Sequence, residues 1–349
     1  MDAMSMGVRQ FALHGLAIEL ACDVPTLSAR VEHLLGSFAV TGFPEGFSLS
    51  SGVVSRYQQT DVLRHLSPTA TRVTTPGNLL ELYEEDERFW LVDDRWGLAE
   101  INLLKSQWRS WVLPWPTVDA VEVEEMAILW PLAQILRSKG LYLMPAVSVV
   151  RDGWGVLLIS PFGLEEELAA LVGTGYKIVG QRWTAIREEE GRMAMLHVPG
   201  EVRRNSQQTP ACGHPVGSRQ WADDSIALPG MLASANAEAG WVDLMGEYLG
   251  AQRNHAFCDV VVRVERGRRP RSSLNQVDPQ VAATALRQSW PMVELHPQRR
   301  QGQLAAKLAR YCDAWSVQLS ERPREILTML DAIRRSTSRR LRRVVAAVA

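Results

Sequence analysis

The sequence predicts an α/β fold, a mixed and largely antiparallel sheet with flanking helices, preceded by a smaller α/β lobe. Three observations carry this. From Leu141 to Val179 the chain runs strand, turn, strand, loop, helix, strand. Further apolar strands, Phe257–Val264 and Trp315–Leu319, alternate with helical periodicity after Asp278 and from Gln303. Hydrophobic residues make up 46% of the 349 and charged residues 22%, enough apolar side chains for packed cores and too many for a disordered chain.

The elements follow in order. Val24–Leu35 reads as a helix, with Asp23 or Thr26 as cap and Val31, Leu34 and Leu35 as its apolar stripe. Leu79–Tyr83 and Phe89–Val92 form a hairpin around Glu84–Glu87, and Asp93-Asp94 turns into Trp96–Ile101. Pro114 and Pro116 close this first lobe, 1–117. A core over 118–320 opens with a helix, Glu124–Lys139. Glu122, Glu124 and Glu125 suit its positive end, Arg137 and Lys139 its negative end, and Gly140 stops it. Pro131 either kinks that helix or marks a first turn that starts later.

Leu141–Val150 is a strand, and Asp152-Gly153 is a tight hairpin signal. Val156–Ile159 is a buried strand, Ser160–Gly163 a turn, and Leu164–Val172 a helix stopped by Gly173 and Gly175. Tyr176–Val179 is the next strand, and Trp183–Arg187 with Arg192–His197 forms another hairpin. Pro199–Leu228 is a polar, turn-rich excursion, and Trp241–Tyr248 reads as an amphipathic helix. Asp278-Pro279 is a cap and first turn for a helix to Gln288, and Gln303–Tyr311 is another. Pro323 opens a basic C-terminal helix, 321–349, holding Arg334-Arg335, Arg339-Arg340 and Arg342-Arg343.

Composition excludes several classes. Thirty-eight basic against 39 acidic residues leave a formal charge of −1, so whole-molecule charge indicates neither nucleic acid nor membrane. The most apolar stretches, Leu141–Val150 and Val156–Phe162, fall far short of the roughly 20 residues that span a bilayer. Four scattered cysteines favour a reducing, cytoplasmic setting over a disulfide framework. The Cys212-Gly213-His214 and His255–Cys258 pairs have no standard zinc spacing, so no metal is expected. Asp223-Asp224 reads as a loop pair capping the next turn, and no nucleophile motif of the Gly-x-Ser-x-Gly kind is present.

The element order resembles that of the HPr kinase/phosphorylase-like proteins, bacterial P-loop kinases with the phosphoenolpyruvate-carboxykinase type of fold. The residues that carry the resemblance begin with Trp130-Pro131-Leu132 and Arg137–Leu141. They continue through the Asp152-Gly153 hairpin and the loop after Ile159, and end with Val264-Glu265-Arg266-Gly267 and the helix after Asp278. The segment Phe11–Leu16 is similar to the N-terminal lobe of the same family. The resemblance implies ATP and Mg²⁺ as cofactors, a serine protein kinase or phosphorylase activity, and oligomers.

A phosphate-binding loop reads G-x-x-x-x-G-K-[ST]: glycines let the backbone approach, the lysine neutralises phosphate and the hydroxyl holds Mg²⁺. The resembling positions here are Ser160, Pro161, Phe162, Gly163, Leu164, Glu165, Glu166 and Glu167. Ser160 and Glu165 replace the glycines, Glu166 the lysine and Glu167 the hydroxyl residue. The family's acidic pair after the next strand corresponds to Gln181 and Arg182, and its histidine before the hairpin to Pro145. Three glutamates occupy the field of a helix N-terminus themselves. A like charge within ~4 Å at an effective dielectric near 20 costs about 4 kcal/mol, roughly a thousandfold in binding.

The expectation is a degenerate phosphate loop in a non-catalytic scaffold that binds a protein or peptide, with Arg182 closing onto Glu165 or Glu166. Glu165–Glu167 read without the resemblance are the solvated first turn of an ordinary helix. An active ATP-dependent kinase, with Lys177 or Arg182 supplying charge, is the alternative. The second alternative is an interaction protein whose basic C-terminal helix meets nucleic acid or a membrane surface. The plainer reading of that helix is docking, with its arginines solvated or paired to Glu84–Glu87.

Overall fold

The structure, a computed structural model, describes residues 7–43, 49–56, 66–73, 81–114, 116–118, 120–160, 164–198, 202–203, 241–242, 252–266, 272–288, 300–320, 322 and 324–348. Cys212, His214, Asp223, Asp224, Pro161, Phe162 and Gly163, and the excursion 199–228 save 202–203, lie outside the described residues. The contacts divide the chain into two compact units, one ending at Leu143 and one beginning at Met144. Both are mixed α/β.

The first unit is built on one sheet of β1 (Val8–Leu13), β2 (Leu16–Cys22), β3 (Leu49–Arg56), β4 (Thr71–Val73), β5 (Glu81–Glu85), β6 (Arg88–Asp93), β7 (Gly97–Asn102) and β8 (Gln107–Val112). The strand order is β1-β2-β3-β8-β7-β6-β5-β4; β2, β3 and β8 are parallel and the other pairs antiparallel. Helix α1 (Pro25–Leu35) is the crossover from β2 to β3 and buries Leu27, Val31, Leu34 and Leu35. Its N-cap is Val24, with Pro25 preset for the first turn, and not a side chain of Asp23 or Thr26. The Asp23 carboxylate instead accepts the Arg56 backbone N–H at 2.8 Å, tying the helix start to β3.

The helix expected over Glu124–Lys139 is three consecutive segments: α2 (Ala120–Glu124), a π-turn (Glu125–Leu129) and α3 (Trp130–Ser138). The cause is Pro131. Regular α-helix would bond the Ala127 carbonyl to residue 131, which has no N–H. The backbone widens there, and the Ser110 hydroxyl donates to the Ala127 carbonyl at 2.6 Å. Glu122, Glu124 and Glu125 are buried, not helix-end surface charges. Arg95 pairs with Asp93 at 2.6 Å and with Glu122 at 3.4 Å, and Arg30 pairs with Glu124.

The second unit takes up β9 (Tyr142–Pro145), β10 (Val147–Arg151), β11 (Trp154–Ile159), α4 (Glu165–Val172), β12 (Lys177–Gly180), β13 (Trp183–Glu189) and β14 (Arg192–His197). It continues with β15 (Val202–Arg203), β16 (Trp241–Val242), β17 (His255–Phe257), β18 (Val260–Arg266), β19 (Ser273–Gln276), α5 (Pro279–Gln288), α6 (Arg300–Tyr311), β20 (Asp313–Leu319) and α7 (Glu325–Val348). The main sheet has six strands in the order β12-β10-β11-β18-β20-β19. Its middle, β11, β18 and β20, is parallel, and its flanks are antiparallel. A second sheet runs β17-β14-β13-β9.

Two expected strands prove to be strand pairs that change sheet. Leu141–Val150 breaks at Ala146, whose N–H donates to the Arg182 carbonyl at 3.0 Å, leaving β9 in the four-stranded sheet and β10 in the six-stranded one. Phe257–Val264 breaks at Cys258-Asp259 into β17 and β18. Unbroken apolar runs hide such corners, because both halves are buried. The expected helix from Trp241 begins instead as strand β16, paired with β15, and its remainder lies outside the described residues.

Asp152 (φ 51°) and Gly153 (φ 74°) make the two-residue turn between β10 and β11. Gly155 permits a close approach: a Cβ there would sit 1.9 Å from the Phe257 carbonyl oxygen. Gly155→Ala is therefore expected to cost about 3 kcal/mol or more of unfolding free energy in a urea titration. The core on one face of the six-stranded sheet joins Val156 and Leu158 of β11, Val260, Val262 and Val264 of β18, Leu164, Leu168 and Leu171 around α4, and Ile326, Leu330 and Ile333 of α7. No helix among the described residues is long and apolar enough to cross a membrane.

Candidate functional site

Open sheets place ligand sites at the carboxyl ends of parallel strands, where the loops enter helices. In this unit that edge gathers Ile159-Ser160 after β11, Arg266 at the end of β18, Ser320 after β20 and Gly180-Gln181-Arg182 after β12. Helices α4 and α7 both start there. The strand and the helix expected on either side of 160–163 are β11 and α4, and residues 161–163 lie outside the described residues.

Glu165, Glu166 and Glu167 make up the first turn of α4, whose N-cap is Leu164 with no side-chain hydrogen bond to the free N–H groups. Glu167 is buried, with its side chain 2% exposed, and its Oε1 lies 3.1 Å from Nη2 of Arg266. Glu166 is exposed. Burial pushes the Glu165 carboxyl up to about 7, helped by the neighbouring Glu167 charge and opposed by its backbone hydrogen bond and by Arg266. Burial also raises Glu167, against the attraction of Arg266. Desolvation of the charged form dominates at both carboxyls.

The cation at this helix is thus Arg266, paired with Glu167. Sequence reasoning had chosen Arg182, with Glu165 or Glu166. Ile159 pairs with Arg263, so β18 runs three residues past β11 and delivers Arg266 to the start of α4. Arg182 sits in the two-residue turn between β12 and β13, where its carbonyl receives the Ala146 N–H, and Gln181 beside it is buried. Pro145 is the last residue of β9, an edge strand of the four-stranded sheet, where a missing N–H is tolerated.

The rest of this edge is held by hydroxyls. The Ser320 hydroxyl donates to the Glu325 carboxylate at 2.8 Å, the Ser272 hydroxyl donates to the same oxygen, and the Ser320 N–H donates to the Ser272 hydroxyl at 2.9 Å. These bonds tie the ends of β19 and β20 to the first turn of α7. The hydroxyl contacts hold the Glu325 carboxyl below the usual carboxylate range.

Nucleotide chemistry needs the reverse arrangement: free backbone N–H groups, a cation and a hydroxyl at the loop. Here three glutamates stand at the start of the helix, and the nearby Arg266 guanidinium is engaged by Glu167. Among the described residues no cluster of three or more histidine, cysteine and acidic side chains could hold a metal ion. His255 contacts Glu189 through Nε2 at 3.0 Å, and the Cys312 thiol donates to the Cys258 carbonyl at 3.2 Å.

No family model matches the chain, and no curated protein matches it. Among solved structures, the Hpr(Ser) kinase/phosphatase from Coxiella burnetii aligns with a TM-score of 0.30 and 11% identity. The alignment covers 56% of this chain and 98% of that one. At that level of likeness neither a fold family nor an activity passes to this chain.

Proposed function

We propose that the protein is a non-catalytic scaffold of the HPr-kinase-like kind, in which the phosphate-loop position is closed and the fold serves to bind a protein or peptide partner. One observation supports this reading: three glutamates form the first turn of α4, and the buried Glu167 carboxylate lies 3.1 Å from the guanidinium of Arg266, whose side chain is 39% exposed. A triphosphate entering this edge would meet the glutamates of the helix start and would have to draw Arg266 away from Glu167. An ATP-dependent kinase on the same edge would need that pair to open.

Ligand-linked stability tests it. A nucleotide present at 100 times its Kd stabilises a folded protein by about 2.7 kcal/mol, a thermal shift of several degrees. The expected outcome is no change in Tm with millimolar Mg-ATP, for the wild type and for Glu166→Ala alike. A concentration-dependent rise in the wild type would overturn the reading in favour of the kinase.

A further inference from the structure

Two buried thiols of the second unit lie away from the phosphate-loop edge. Cys258 follows β17 at the corner where the chain passes from the four-stranded sheet to β18 of the six-stranded one. Cys312 stands between α6 and β20. Both are free, and both are buried. In β18 and β20, which run parallel, Val260 faces Asp313, so the two cysteines precede neighbouring strands at the same edge. The Asp313 N–H donates to the Asp259 carbonyl at 3.0 Å, and the Cys258 N–H to the Met193 carbonyl at 2.7 Å, so both backbones are held in place.

The two cysteines meet across this junction. Cys312 Sγ lies 3.2 Å from the carbonyl oxygen of Cys258. The Cys312 thiol, together with burial, pushes the Cys258 thiol well above its ordinary value. Neighbouring strands are about 4.8 Å apart, inside the roughly 4.4–6.8 Å that separates the Cα atoms of a disulfide. A lone buried cysteine is an apolar filler, whereas two in contact can be oxidised together.

We propose that Cys258 and Cys312 are a redox pair, which glutathione disulfide oxidises to an intramolecular disulfide that fastens the β17–β18 corner to the end of α6. One cysteine thiolate attacks glutathione disulfide, breaking its S–S bond and releasing the first glutathione. The other cysteine thiolate then attacks the protein sulfur of that mixed disulfide, forming the Cys258–Cys312 bond and releasing the second glutathione. Two electrons pass from the cysteines to glutathione disulfide, and the two thiol protons end on the two glutathione molecules. Burial keeps both thiols from the reagent in the closed protein, so the exchange runs through local opening of the corner. Closing again shields the disulfide from reduction. None of this rests on the phosphate-loop reading, since neither cysteine lies at that edge.

The test incubates the full chain with glutathione disulfide, in urea held below the unfolding transition so that the corner opens, and then removes both. Peptide mapping by mass spectrometry is expected to find a Cys258–Cys312 crosslink, two hydrogens lighter than the thiol pair and free of glutathione. A bond between residues 54 apart in sequence should raise Tm by about 5 °C or more, and dithiothreitol in the same urea should reverse the rise. Cys258→Ala and Cys312→Ala, each shown to be folded by circular dichroism, should show no rise; the wild-type crosslink decides even where a variant does not fold. Cysteines still reduced, cysteines each capped by glutathione, a crosslink that leaves Tm unchanged or lower, or a rise kept by a folded single variant would each overturn the proposal.

Discussion

Arg266→Met is expected to destabilise the protein by about 1–2 kcal/mol near neutral pH, because Glu167 is left buried without its partner while the guanidinium itself is 39% exposed and partly screened by solvent. Glu167 remains, 2% exposed and without the guanidinium that stands 3.1 Å away in the wild type. Its carboxyl, already raised by burial, would then rise further. The deficit should therefore shrink as pH falls and Glu167 takes up a proton. Adding Glu167→Leu should return most of the lost stability, because the pair as a unit contributes little beyond well-packed apolar side chains. Urea unfolding of the wild type, both single variants and the double variant measures the coupling. An Arg266→Met cost below about 0.5 kcal/mol would mean that the pair is not the closure described here.

Glu165→Gln should make the protein more stable above neutral pH. Glu165 titrates at about 7 in the folded chain against an ordinary value of 4.5. Between these values the folded state binds more protons than the unfolded state, so stability falls as pH rises. The contribution is fully present below about pH 4.5 and is lost as pH passes through about 7. A displacement of about 2.5 pH units corresponds to about 3 kcal/mol. Wild type and variant should therefore agree near pH 4 and differ by up to about 3 kcal/mol at pH 8, with the variant the more stable. A wild-type curve that rises between pH 5 and pH 8 by the same amount as the variant's would contradict the burial of this carboxyl.

Much of the second unit was legible because its signals are local. Asp152-Gly153 demands a two-residue turn, Asp278-Pro279 starts a helix whose Gln280 N–H meets the Asp278 carboxylate at 2.8 Å, and both are found as read. The start of α4 was legible from three consecutive glutamates after a buried strand. Non-local features were not. Arg266 lies 99 residues from Glu167 in sequence, and only the parallel register of β18 with β11 brings them together. The resemblance drew on Glu265-Arg266 without assigning the arginine a role, which is where a signal was present.

The first unit was read less well. β3 contains Ser50, Ser51 and Gly52, which resemble a turn, yet Gly52 is there to admit the Trp108 ring, 2.1 Å from where a Cβ would lie. The acids at Glu122, Glu124 and Glu125 looked like helix-end charges because sequence cannot show that Arg30 and Arg95 come from elsewhere in the fold to pair with two of them. The hairpin of β5 and β6, marked by its acidic turn, and helix α1, marked by its apolar stripe, were read as they are found.

The central claim is that the glutamates at the start of α4, one of them paired with Arg266, keep phosphate from this helix end. Titration calorimetry with Mg-ATP at low salt, where any charge repulsion or attraction is least screened, tests it most directly. The account predicts no saturable heat up to millimolar nucleotide from protein shown to be folded, and none from Arg182→Ala. Saturable binding would contradict it, and its loss in Arg266→Ala would mean that this guanidinium exchanges the Glu167 carboxylate for phosphate.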